Sequence, residues 1–172
     1  YTIELDMTLF NRVKERFRPF SHVKTLQGDS KSIFPTLLPE LPDYTIFYLD
    51  AHWSGDSSVD WSSSLWKGYE CNTSYVGSIP TAENQVPLGE ELKSIVQYYR
   101  GHAIILIDDI EVIGKKDLKF KGEDWTHLSM DLIKSIISSR VKSFNISTSS
   151  SGSPIGIIEL HPLKSDYWSK QR

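Results

Sequence analysis

The chain has 172 residues, a formal net charge of −3 and 39% apolar side chains, the scale of one domain built around one hydrophobic core. Acids and bases are mixed along it, so there is no broad basic field to hold a phosphate backbone, and nothing in it asks for nucleic acid. Its single cysteine, Cys71, excludes an intrachain disulfide and a cysteine-rich zinc site and makes the cytoplasm the default expectation, while no apolar run approaches the roughly 18–20 residues that span a bilayer.

Tyr1–Leu5 is a β-favouring run ending on acids, and Met7–Phe17 follows with Leu9, Phe10, Val13 and Phe17 on one helical face. His22–Gln27 reads as a second strand, stopped by Gly28-Asp29-Ser30, where Asp29 or Ser30 can cap a helix running toward Leu38. Tyr44–Leu49 and Ala103–Ile107 are nearly continuous apolar runs, the pattern of parallel strands covered on both faces. Between them Leu88–Tyr99 places Leu88, Leu92, Ile95 and Val96 at helical spacing, and Gly101 supplies a stop. Order loosens over Gly114–Gly122. A helix is then expected over Trp125–Arg140, and Val141–Thr148 with Ile155–Leu160 form a terminal hairpin. Alternating β and α elements followed by a hairpin predict a single α/β domain over 1–172, with an open, mostly parallel sheet, helices on both faces and an antiparallel strand.

One long segment, Trp53–Pro87, has no sustained period and carries Trp53, Trp61, Trp66, Tyr69 and Tyr75 among small polar residues. Following directly on a strand end, it is placed to serve as a substrate lid, the bland alternative being an insertion packed over the sheet edge.

In open α/β sheets ligands bind beyond the carboxyl ends of the strands, and here those ends are acidic. Glu4 and Asp6 close the first strand, Asp29 follows the second, Asp50 ends the third with His52 two residues on, and Asp108 and Asp109 end the fourth. Glu4 suits a ribose, since one carboxylate accepts from two neighbouring hydroxyls; Asp6 is better placed as a helix cap. Asp29 with Ser30 could reach an adenine, although helix capping explains Asp29 almost as well. Asp50, Asp108 and Asp109 are hard oxygen donors suited to magnesium, calcium or manganese. In the competing reading one of the paired acids caps the next element and the other meets Lys115 or Lys116. His52, titrating near neutrality, would be a general base beside such an ion.

The strings Tyr1–Asp6, Gly28-Asp29-Ser30, Tyr48-Leu49-Asp50-Ala51-His52-Trp53-Ser54-Gly55, Pro87–Leu92 and Ile105–Asp109 resemble, in order and spacing, the class I S-adenosylmethionine-dependent methyltransferases. The resemblance is narrower to metal-dependent small-molecule O-methyltransferases, including the macrolide-sugar and aminocoumarin-sugar enzymes. It implies a Rossmann-like methyltransferase fold, Glu4 on the cofactor ribose, Asp29 beside its adenine, and Asp50, Asp108 and Asp109 as metal ligands, Mg²⁺ being the simplest ion. The family has Asp-Gly-Asp where this chain has Asp50-Ala51-His52, so His52 falls on the position of the base with a different side chain. The family's glycine-rich loop has no counterpart here, and the chain opens on what corresponds to the family's second strand. The missing first strand is therefore expected to come from residues preceding Tyr1 or from another segment, since bare strand edges favour association and homo-oligomers.

The expected activity is methyl transfer from S-adenosylmethionine to a hydroxyl of a small-molecule acceptor, with Asp50 and His52 catalytic. A metal-dependent hydrolase on the same fold would bind a divalent ion but no S-adenosylmethionine. A non-catalytic methyltransferase-like interaction domain would lack the glycine loop even in its complete chain.

Overall fold

A computed structural model describes residues 1–52, 85–117, 123–148 and 152–163. The expected lid, Trp53–Pro87, lies outside these residues except at 85–87.

Apolar periodicity places the elements close to where the sequence puts them. Strand β1 (Thr2–Glu4) leads into helix α1 (Met7–Phe17), strand β2 (Thr25–Gln27) into helix α2 (Ser30–Leu37), and strand β3 (Tyr44–Leu49) precedes helix α3 (Leu88–Tyr98). Strand β4 (His102–Ile107) is followed by a short β5–β6 ladder (Lys116–Asp117, Glu123–Asp124), helix α4 (Met130–Ile137), and strands β7 (Val141–Thr148) and β8 (Pro154–Leu160). The cap of α1 is Asp6, whose carboxylate accepts from the Leu9 amide at 2.8 Å, and that of α2 is Asp29, which accepts from the Lys31 amide at 3.1 Å. Beyond α2, Pro39 stands in the 3₁₀ turn Leu38–Glu40, because a proline has no amide to continue an α-helical ladder.

The helix expected over Trp125–Arg140 is shorter. Ser129 caps it, its hydroxyl accepting from the Leu132 amide at 3.0 Å, so Trp125 stands outside the helix. Its backbone is instead bound to the preceding segment, with Trp125 N donating to Lys115 O at 3.0 Å and Gly114 N donating to Trp125 O at 3.2 Å.

The architecture is mixed α/β. β1 and β2 form a parallel pair, while a separate sheet runs β3-β4-β8-β7. In that sheet β3 and β4 are parallel, with Ile46 opposite Ile104 and Leu49 opposite Ile107. β8 is antiparallel to both β4 and β7, so the expected terminal hairpin is present and β7 runs in the direction of β3 and β4. The expected single, mostly parallel sheet is thus divided among the described residues: β1 and β3 are both edge strands, and two of the three pairings of the larger sheet are antiparallel.

Helices cover one face only of that sheet among the described residues. Phe47, Ile105 and Ile158 share one core with Phe34 of α2, Leu92 and Ile95 of α3, and Ile133 and Ile137 of α4. On the opposite face Ile46 is 68% exposed, against 0% for Ile105. This corrects the expectation of helices on both faces, and the reason is period-two alternation: both sets of side chains on β3 and β4 are apolar, so the sequence alone cannot say which set is covered. Gly101 fixes the start of β4, since a Cβ there would lie 2.2 Å from the Asp43 carbonyl oxygen. No helix among the described residues is long and apolar enough to cross a membrane.

Candidate metal centre at two strand ends

The parallel pairing of β3 with β4 brings their carboxyl ends side by side, and Asp108 N donates to Leu49 O at 3.1 Å just beyond the ladder. Asp50 and His52 leave the end of β3 here, and Asp109 leaves the end of β4. The His52 Nε2 atom lies 3.6 Å from Asp50 Oδ1 and 3.5 Å from Asp109 Oδ2. One donor atom from each of the three residues falls within 4.8 Å of the other two. Two carboxylates and one imidazole form a mixed oxygen–nitrogen set that suits manganese or zinc at least as well as magnesium.

The backbone at this site is unusual. Asp109 has φ 51 and ψ 32, and it is the non-glycine residue of positive φ among those described. The left-handed region is unfavourable for side chains with a Cβ but least so for Asp and Asn, and such residues concentrate at functional sites. Its carboxyl pKa is raised above the ordinary value, first by burial, with His52 acting in the opposite direction and Asp108, Glu111 and Asp50 adding repulsion.

Asp108, expected alongside Asp50 and Asp109, faces elsewhere. One oxygen accepts from the Asp109 amide at 2.9 Å and the other from the Tyr48 hydroxyl. That second bond, which is the largest cause, pushes the Tyr48 phenol well above its usual pKa. Lys116, offered as a partner for the paired acids, stands 3.9 Å from Asp124.

The candidate cofactor residues gather on the β1–β2 pair. Gly28, at φ 140, takes a conformation that favours glycine, and its amide donates to Glu4 O at 3.0 Å, joining the two strand ends. Glu4 Oε1 accepts from the Asp6 amide at 2.8 Å, and burial raises the Glu4 pKa. Asp29, besides capping α2, lies 3.4 Å from Lys31 Nζ. The Ser30 hydroxyl donates to Glu91 Oε1 at 2.5 Å, tying the first turn of α2 to the first turn of α3.

Two residues at or near these sites were not singled out by sequence. Glu91 is 2% exposed, and its pKa is pushed up to about 7, chiefly by burial, with Ser30 opposing. Its position was legible, because it shares the helical face of Leu88, Leu92 and Ile95. Trp125 packs its ring 5.9 Å from the His52 ring; no local pattern links residues so far apart in the chain.

No protein-family model matches the sequence, and no curated protein matches it. Among solved structures the chain is similar to the crystal structure of the PH0226 protein from Pyrococcus horikoshii OT3, with 11% identity, a TM-score of 0.45, and coverage of 94% of this chain and 70% of that one.

Proposed function

We propose that this chain carries the acceptor side of an S-adenosylmethionine-dependent O-methyltransferase of Rossmann-like fold, acting on a small hydroxylated molecule at a divalent-cation site. The observation that carries the reading is the meeting of Asp50, His52 and Asp109 at the carboxyl ends of two neighbouring parallel strands, where ligands of open α/β sheets bind. The antiparallel β8 lying between β4 and β7 and the strings shared with that family support it further. Glu4 and Asp29 are assigned to the cofactor on the same resemblance, and Ser30 on its place beside Asp29.

Methyl transfer needs an acceptor oxygen that has lost its proton and is held in line with the methyl carbon. Asp50 and Asp109 can accept hydrogen bonds from neighbouring hydroxyls of the acceptor and so turn the reacting one toward His52. His52 Nε2, lying between those carboxylates, can take the proton, and both acids stabilise the imidazolium that results. The donor set also fits a divalent ion, which Asp50, His52 and Asp109 would hold; in that arrangement His52 is a ligand rather than the base, and the acceptor's proton would pass to solvent. Such an ion supplies Lewis acidity that lowers the pKa of a bound hydroxyl.

The test is calorimetry with Mn²⁺ and, separately, with S-adenosylmethionine, on the wild type and on Asp50→Asn, His52→Gln and Asp109→Asn, followed by transfer of labelled methyl to a panel of sugars and polyols. Mn²⁺ binding lost in all three variants, with S-adenosylmethionine binding kept, is the expected result. Heat with Mn²⁺ but none with S-adenosylmethionine would replace the transferase with a metal-dependent hydrolase.

A further inference from the structure

The Trp125 indole forms a wall against the His52 imidazole, with ring centroids 5.9 Å apart and planes inclined at 48°. The two partners differ in how firmly they are held. Trp125 is 3% exposed and belongs to the main core. Its backbone is bonded to Lys115, Gly114 and Leu128 at 3.0, 3.2 and 3.0 Å. His52 lies beyond the end of β3, where the ladder no longer holds the chain. An imidazole there has two side-chain torsions to fix.

The segment that holds Trp125 also holds Asp109. From Asp109 the chain passes through the 3₁₀ turn Ile110–Val112 and reaches Gly114 and Lys115, the residues bonded to Trp125. The ring wall is therefore hydrogen-bonded to the same short piece of backbone that carries Asp109, and His52 touches both. The indole N–H is buried and has no hydrogen-bond partner among the described residues. A buried Trp normally satisfies that group, so core packing rather than hydrogen bonding holds this ring, and it is held there against His52.

We propose that Trp125 is a positioning residue that fixes the His52 ring and thereby sets the divalent-ion affinity of the Asp50–His52–Asp109 centre. The affinity half of this rests on the metal-centre reading given above; the positioning half does not.

Two variants of the full chain separate the roles. Trp125→Phe keeps an aromatic wall and removes an unsatisfied donor together with part of the ring, so it should fold with a modest loss of stability. Trp125→Leu keeps apolar bulk and removes the flat face. Ile137→Val, elsewhere in the same core, is the control for general loosening. Imidazole resonances of His52, assigned with His52→Gln, are recorded without metal, and Mn²⁺ affinity is then measured by calorimetry. In Trp125→Leu the His52 ring protons should lose their ring-current shift and their proximity to Asp109, and Mn²⁺ should bind about tenfold more weakly, the effect typical of losing a group that orients a ligand. Trp125→Phe should keep most of both, and Ile137→Val should change neither.

Unchanged His52 resonances in Trp125→Leu would overturn the proposal, as would an equal change in Ile137→Val. If Trp125→Leu itself does not fold, His52 resonances in Trp125→Phe that lack any aromatic ring-current shift would likewise overturn it. Absence of Mn²⁺ binding by the wild type would remove the metal centre, and the metal-free spectra would still decide whether Trp125 positions His52.

Discussion

At the scale of single residues, the groups of most consequence are acids held in places that disfavour their charge. Asp109 combines burial, neighbouring acids and a left-handed backbone. Asn tolerates that backbone as well as Asp does, whereas Ala does not. Asp109→Asn is therefore expected to unfold at the same denaturant concentration as the wild type or higher. Asp109→Ala is expected to lose about 1 kcal/mol relative to Asn, and both should lose Mn²⁺ binding, checked by urea titration and calorimetry.

Glu91 gives a pH dependence whose sign follows from its raised pKa. An unfolded Glu ionises near 4.5, while the buried one keeps its proton to about 7. Stability is thus undiminished below the first value, falls as pH rises through that window, and levels off above it, for a total of about 3 kcal/mol. Urea unfolding of the wild type at pH 5 and pH 8 should show this loss. Glu91→Gln, which cannot ionise, should flatten it.

At the scale of elements, one buried cation closes the bottom of the helical layer. Arg140 is 4% exposed and donates to Ile95, Val96 and Tyr99 carbonyls at the end of α3, and to Gly101 and His161 carbonyls beside the sheet. The last carbonyls of a helix have no partners within it, and a guanidinium fork suits several at once. Arg140→Met should leave those acceptors buried and unsatisfied and cost at least about 3 kcal/mol, measured by chemical denaturation. The sequence shows a basic residue following an apolar stripe; only packing shows that it serves a helix distant in the chain. The helix boundary at Ser129, by contrast, was open to reading, because a serine before an amphipathic run is an ordinary cap. The longer stripe through Trp125 and Leu128 obscured it.

At the scale of the whole molecule, the two faces of β3 and β4 have separate fates. Ile105→Ala, on the covered face, should cost about 2–5 kcal/mol. Ile46→Lys, on the open face, should change stability by no more than about 0.5 kcal/mol and should reduce binding of hydrophobic dyes. Equal costs at the two positions would mean that both faces are packed.

The sequence by itself determined the main strands and helices, the helix cap at Asp6, the two central apolar strands and the acids at their ends, and offered capping as one of two readings of Asp29. All of these are set by neighbours a few residues away, through periodicity, capping and turn chemistry. Tertiary structure decided which strands pair and which sheet face is covered. It also turned Asp108 toward Tyr48, left Asp50, His52 and Asp109 together, and brought Trp125 against His52. Those outcomes depend on strand register and on which side chain reaches which partner across the fold, quantities that local spacing leaves undetermined.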